Sequence, residues 1–309
     1  MQIGIIGTGM VGSAIAYSLA SEGSAEKLIL IDANKERAIA EAMDISHSTP
    51  FTFGARVVAG DYKDLKDAGI IVITAGANQK PGETRLDLLE KNVGIFKSII
   101  PEVVKYAPNA ILVIAANPVD IMTEVTLKLS GFPKNRVFGT GTVLDSARFR
   151  SILGRHLGIS PKSVHANVIG EHGDSELAAW SSATVSGVPI NTFCEMRGHF
   201  NHDEATERIA ENVKNSAYEI IAKKKATYFG VAMAVRRICE AIIRDEKSIL
   251  PVSNLMHGEF GISDISLSMP AIVGAHGVEN RIPITLDEEE TEKLQSSAGT
   301  LKKIIEEVL

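Results

Sequence analysis

Short apolar runs alternate with amphipathic stretches through the first 130 residues, and this pattern constrains the fold more than any other feature. The runs are Gln2–Gly7, Lys27–Asp32, Ala55–Ala59, Ile70–Ala75 and Ala110–Ala116. Helical periodicity fills the gaps at Met10–Ser21, Lys35–Ser46, Leu86–Tyr106 and Ile121–Ser130. Strands that are apolar throughout must be covered on both faces, which helices on either side of a parallel sheet accomplish. The expected class is therefore α/β, with a doubly wound parallel sheet in the N-terminal half. Val137–Gly139 suggests one more strand, at the sheet's edge.

The second half has a different rhythm. Thr142–Leu157 reads as helix, Val164–Ile169 as a strand ending in a glycine-rich turn, and Asp203–Asp245 as helix with a break near Lys225. Mixed short strands are expected between Ser248 and Val273. A last helix, Asp287–Leu309, has Asp287 as N-cap and glutamates suited to the positive helix end. The boundary falls near Thr140, giving residues 1–140 as a doubly wound half and 141–309 as an α+β domain.

Gly7-Thr8-Gly9-Met10-Val11-Gly12 is a GxGxxG segment between a strand and a helix. The first glycine permits the turn, the second lets the backbone approach a pyrophosphate, and the third lets helix and strand pack closely. This is the fingerprint of a Rossmann dinucleotide site. Asp32 ends the second strand, 20 residues after Gly12. A carboxylate there accepts ribose hydroxyls and repels a 2'-phosphate, favouring NAD over NADP, a preference that nearby Arg37 weakens slightly. Ligands of such sheets lie over the carboxyl ends of the strands, so Gly76, Ala77, Ala115, Ala116 and Asn117 are expected to contribute.

A histidine on a glycine-flanked turn, Gly170-Glu171-His172-Gly173-Asp174, is a candidate for proton transfer, because imidazole titrates near working pH. Taken alone, such a histidine is more often an ordinary turn residue. Asp145 and Arg148 stand three apart on one helix face, a spacing that suits a surface ion pair or a histidine-orienting acid beside a carboxylate-binding base. The polar segment Asn78–Arg85 follows a buried strand at the cofactor edge, where either a mobile cover or a solvated loop belongs.

Composition sets limits on partners and compartment. The formal net charge of -6 offers no basic face for nucleic acid. Two cysteines, Cys194 and Cys239, form no CxxC pair, which fits a reducing compartment and no structural zinc. No apolar run approaches the ~20 residues that span a bilayer. The sequence enters its first strand directly, so no signal peptide is expected and the expected location is cytoplasmic.

Together the segments GTGMVG, TAGANQKPGETR, AANPVD, GTGTVLDSARFR, VIGEHGDSE and KATYFGVAM closely resemble the lactate/malate dehydrogenase family, on its L-lactate side. They run from residue 7 to residue 235, and the final helix also fits. The resemblance implies NAD-dependent, reversible reduction of pyruvate to (S)-lactate. It makes His172 the proton donor and acceptor, Asp145 its orienting carboxylate, Arg148 the two-pronged binder of the substrate carboxylate, and Arg85 the group that polarises the carbonyl. Asn117 would also touch substrate, and Gln79 and Thr227 would flank its side chain. Val11, Asp32, Arg37, Tyr62, Ser98 and Thr140 fall at cofactor positions beside the glycines.

Malate enzymes of this family carry arginine where Gln79 stands, so a second substrate carboxylate would lack a partner here. Branched-chain 2-hydroxyacid or malate oxidation is the alternative. No metal is expected. Arg150 and His165 match positions that bind fructose 1,6-bisphosphate in allosteric bacterial members, and the family implies a homotetramer. Departures from the pattern are Lys225 where glycine is usual, Ala178-Ala179 before Trp180, and the segments Phe193–His202 and Asn280–Ile284.

Overall fold

The computed structural model describes residues 1–77 and 85–308. Gln79 and most of the polar segment Asn78–Arg85 lie outside the described residues, as does the side chain of Arg85. The first half runs β1 (Gln2–Ile6), α1 (Met10–Ser21), β2 (Lys27–Ile31), α2 (Lys35–Ser48), β3 (Arg56–Ala59), β4 (Ala68–Ile73), α3 (Arg85–Tyr106), β5 (Ile111–Ile114), α4 (Val119–Ser130) and β6 (Val137–Gly139). The second half continues with α5 (Val143–Leu157), β7 (Val164–His165), β8 (Val168–Ile169), β9 (Leu177–Ala178), β10 (Thr184–Val185) and β11 (Val188–Pro189). It closes with α6 (Ile190–Met196), α7 (His202–Lys224), α8 (Phe229–Ile243), β12 (Ser248–His257), β13 (Ser263–Gly274), β14 (Gly277–Arg281) and α9 (Glu288–Val308).

The parallel strands lie in the order β3-β2-β1-β4-β5-β6, so the chain reverses direction across the sheet between β1 and β4. Their apolar runs divide by parity. Ile3, Ile5, Leu28, Leu30, Ile70, Val72, Ile111 and Val113 join one core, with residues of α1, α2 and α8. Ile29, Ile31, Ile71, Ile73, Leu112 and Ile114 join the other, with residues of α3, α4 and α9. Both faces are covered, which is why these strands carry no polar alternation. A third core sits under α5, α6 and α7, around Phe149, Leu153, Val185 and Ile209.

Three expectations need correction. β6 is an interior strand, because β12 pairs antiparallel beside it at Ser253–Gly139 and continues the sheet through β13 and β14. The region from Ser248 is one long hairpin, with strands of 10 and 12 residues. Buried Ser253, Asn254, Ser266 and Ser268 interrupt its apolar pattern. Val164–Ile169 is two short strands, because the chain leaves β10 after His165 and pairs with β9 from Val168.

The helix break falls at Lys225, which caps α7 in the left-handed region at φ 74°. A side chain there is strained and glycine is not. Lys225→Gly is expected to stabilise the fold by about 0.5–1 kcal/mol, the strain relieved less the added unfolded-chain entropy. Urea unfolding would check this, and an unchanged midpoint would mean the cap carries no strain. Asp287 caps α9 as expected: its Oδ1 accepts the Glu290 N–H at 2.8 Å, and Glu290 reaches back to the Asp287 N–H at 3.2 Å. Phe193–His202 forms the end of α6 and the turn into α7, and Asn280–Ile284 the end of β14 and the chain beyond it.

Candidate active site

The carboxyl ends of β1, β2, β4, β5 and β6 converge on one side of the sheet. Gly7 turns the chain out of β1 at φ 99°, and a Cβ there would lie 2.6 Å from the Ala75 nitrogen. A Cβ on Gly12 would strike the Gly7 carbonyl oxygen at 1.8 Å. A Cβ on Gly9 would meet nothing within 4 Å, so the middle glycine faces open space. The start of α1 has neither a capping side chain nor an acidic residue in its first turn. Among the described residues, no side chain caps its leading N–H groups, which can receive a phosphate. This open, cation-like cradle fits a dinucleotide.

Asp32 secures the same loop. Its Oδ2 accepts the Thr8 N–H at 2.7 Å and the Thr8 hydroxyl at 3.0 Å, while Oδ1 accepts the Asn34 N–H at 2.9 Å. Burial pushes its pKa up, but these bonds and the Arg37 charge outweigh it and hold the pKa below the ordinary value. A charged acid at this place favours a free 2'-hydroxyl over a 2'-phosphate. Gly76 and Ala77 follow β4, Ala115 and Ala116 follow β5, and Thr140 follows β6. Val11, on α1, and Tyr62, between β3 and β4, are partly buried, whereas Arg37 and Ser98 are exposed on α2 and α3.

A residue that sequence reasoning missed stitches this rim together. Asn92, buried on α3, accepts the Ala77 N–H at 2.8 Å and donates to the Asn117 carbonyl at 2.9 Å. Its signal is a polar residue on the stripe of Leu89, Val93 and Phe96, where an apolar one would otherwise pack.

The proton-transfer candidates do meet. His172 Nδ1 lies 2.6 Å from Asp145 Oδ2, and Arg148 donates to Asp145 Oδ1 at 2.7 Å. Asp145 is buried in the first turn of α5. Burial works against its charge, but the charge and hydrogen bond of His172, then the charge of Arg148, hold its pKa low. Burial likewise opposes protonation of His172, yet Asp145 overrides it and Asp120 and Glu176 assist, raising the imidazole to about 9. With Nδ1 committed to Asp145, Nε2 is the nitrogen left for a ligand.

The turn carrying His172 is pinned on several sides. Gly170 and Ser268 exchange backbone bonds of 2.9 Å, and the Ser146 hydroxyl accepts the Val168 N–H at 2.9 Å. The His172 N–H donates to Asp120 Oδ2 at 2.7 Å, and Ser253 donates to Asp120 Oδ1 at 2.5 Å. Buried Asp120 is pushed up to about 6, the desolvation exceeding the help of Ser253 and His172. Asp120, like Asn92, was not singled out from the sequence. An acid in the first turn of a helix, just after Asn117-Pro118 and between Val119 and Ile121, was the available signal.

Thr227 lies between α7 and α8, and Asn117 is exposed after β5. Arg150 donates to the Ala166 carbonyl at 2.8 Å and to the Asn167 side chain at 3.1 Å, which places its guanidinium beside the strand carrying exposed His165. Arg85 opens α3. Both cysteines are free, and among the described residues neither belongs to the group around His172.

Known proteins match over the whole chain. The profile of the lactate/malate dehydrogenase NAD-binding domain covers residues 1–139, and that of the family's alpha/beta C-terminal domain covers residues 142–309. An L-lactate dehydrogenase of Thermoanaerobacterium saccharolyticum is 51% identical over 99% of each chain. L-lactate dehydrogenase 1 of Clostridium acetobutylicum is 50% identical over 99% of this chain and 98% of its own. Among solved structures, the ligand-bound minor L-lactate dehydrogenase of Enterococcus mundtii is 43% identical, with a TM-score of 0.97 over 100% of this chain and 98% of that one.

Proposed function

The chain belongs to the lactate/malate dehydrogenase family, and from that premise we propose that it is an NAD-dependent L-lactate dehydrogenase interconverting pyruvate and (S)-lactate. The observation that carries the chemistry is one buried carboxylate, Asp145, gripping both the imidazole of His172 and the guanidinium of Arg148. The N-terminal half, residues 1–140, is read as the cofactor half, and residues 141–309 as the catalytic half. Gly7, Gly9, Gly12 and the start of α1 would hold the pyrophosphate, and Asp32 the adenosine ribose. Bound in this cradle, reduced nicotinamide supplies a hydride to the carbonyl carbon of pyruvate.

The chain's own groups manage the charge that develops. Negative charge accumulates on the carbonyl oxygen, and protonated His172 donates to it from Nε2. Arg85 polarises the same oxygen. Arg148 receives the substrate carboxylate through two parallel bonds, using the part of its fork that Asp145 leaves free. Asn117, Gln79 and Thr227 complete the substrate side. Reduction requires imidazolium, and oxidation of lactate requires neutral imidazole.

The test is NADH absorbance with equal concentrations of pyruvate, oxaloacetate and 2-oxoisocaproate. Pyruvate is expected to react fastest. In Gln79→Arg, the oxaloacetate-to-pyruvate ratio of kcat/KM is expected to rise about tenfold or more, at least 1.4 kcal/mol of differential binding. An unchanged ratio would remove Gln79 from the pocket, and a wild-type preference for oxaloacetate would overturn the substrate assignment.

The enzyme is read as a cytoplasmic homotetramer. Two free cysteines suit a reducing compartment. Among the described residues, no helix is long and apolar enough to cross a membrane. Exposed Tyr17 on α1, Ile39 and Met43 on α2, and Met233 on α8 offer apolar surface for a second subunit. Arg150 and His165, brought up to their counterparts across an interface, would bind the phosphates of fructose 1,6-bisphosphate. Titrating that sugar at low pyruvate is expected to lower the half-saturation for pyruvate, and Arg150→Gln to abolish the response. No response in the wild type would remove both residues from an effector role.

A further inference from the structure

The mechanism leaves one ionisable group beside the reacting histidine unused. Glu176 immediately precedes β9, the second strand of the β8–β9 hairpin. One titratable atom each from Glu176, His172 and Asp145 lie within 4.8 Å of one another. Among the described residues, no hydrogen bond to another group occupies the Glu176 carboxylate. It also forms part of the wall of a cavity of about 450 Å³ between this hairpin and α7, together with Asp174, Glu207, Glu211 and Lys214. Neither His172 nor Asp145 reaches that wall. Glu176 is thus the member of the histidine cluster that also faces the cavity, which has room for several waters.

We propose that Glu176 is the proton carrier that recharges His172 between turnovers, exchanging with solvent in the cavity beside α7. This rests on the reading of His172 as the proton donor in pyruvate reduction. Each reduction takes one proton from His172 and leaves neutral imidazole. The Glu176 carboxylic acid then gives its proton, through one water, to Nε2, the nitrogen that the reduction left bare, so that an N–H bond forms there as the O–H bond breaks while Nδ1–H stays on Asp145. The resulting carboxylate takes a proton from water or a buffer acid in the cavity. No electrons move, and oxidation of lactate runs the same path backwards.

The surroundings of Glu176 suit the task. Burial and then the Asp145 charge push its pKa up to about 7, against the opposing charges of His172, Arg148 and Lys214. Glu207, Glu211 and Asp174 share the cavity, and Asp120 faces His172 from α4. At working pH both forms of Glu176 are populated, and its acid is stronger than imidazolium at about 9.

The test compares the full-length wild type with Glu176→Gln in steady-state pyruvate reduction at fixed pH and ionic strength, while imidazole buffer is raised from low to high concentration. The wild type is expected to be insensitive to buffer. Glu176→Gln is expected to turn over several-fold more slowly in dilute imidazole and to recover as imidazole rises, with a single turnover from precharged enzyme left at the wild-type rate. Glu176→Asp, which keeps an acid, is expected to need less buffer, and it serves if the Gln variant does not fold. Unchanged turnover at every buffer concentration would overturn the proposal. So would a loss that buffer does not restore and that slows the single turnover, since that marks Glu176 as an electrostatic or structural neighbour. A wild type that oxidises no NADH with pyruvate would instead bring down the functional reading beneath it.

Discussion

Asp145→Asn is expected to lower pyruvate reduction at neutral pH on the order of 10²–10⁴-fold, the usual worth of a positioned acid or base. Two effects combine. The amide can present its NH₂ to His172 Nδ1, which keeps Nδ1 bare and fixes the single proton of the neutral ring on Nε2, where it is too weak an acid for reduction and blocks acceptance of a proton in oxidation. It also removes the negative charge that raises the imidazole to about 9. Reduction needs imidazolium, so the wild-type kcat/KM is expected to hold up to about that pH and to fall above it. In Asp145→Asn the fall should begin near the ordinary histidine value of ~6.5. Lactate oxidation needs neutral imidazole, so its acid-side fall should move down with it. Measuring kcat/KM against pH in both directions checks the argument. A reduction limb that stays in place would mean that Asp145 does not hold the proton.

Asp120→Ala is expected to cost about 2–6 kcal/mol of stability, because it strands two donors that now share one buried carboxylate, each worth about 1–3 kcal/mol when unsatisfied. These are the His172 N–H at 2.7 Å and the Ser253 hydroxyl at 2.5 Å. Asp120→Asn can keep both bonds, its carbonyl accepting from His172 and its amide donating to Ser253. It should therefore retain most of the stability while lowering the basicity of His172, to which the Asp120 charge contributes. Urea unfolding followed through Trp180, the single tryptophan, separates the two variants. Equal midpoints for Ala and Asn would show that the bonds themselves contribute nothing.

Both substitutions mark what could be read from the chain and what could not. Repetitive local signals were legible: apolar runs for strands, the glycine turn, the acid after β2, and the helix break at Lys225. His172, Asp145 and Arg148 could be named because their chemistry is distinctive and their segments resemble a family. Asp120, Asn92 and Glu176 were passed over because what distinguishes them is burial, and burial is created by distant parts of the chain. Asp120 matters through Ser253, 133 residues away. The long hairpin of β12 and β13 was obscured for the same reason, since its inward serines and Asn254 read as surface until their place in the interior is known. The edge assigned to β6 failed because β12 arrives from more than a hundred residues downstream.

Because β12 joins β6, the cofactor half on its own would end in a bare strand at Val137–Gly139, an open template for another chain to pair with. The joint also fixes a distance. The cradle at Gly7–Gly12 hangs from β1, and the histidine turn is tied to β13 by Gly170 and Ser268 and to α4 by Asp120. Both strands belong to one nine-stranded sheet. The separation between the place where a hydride leaves and the place where a proton leaves is therefore set by the strand spacing of one framework.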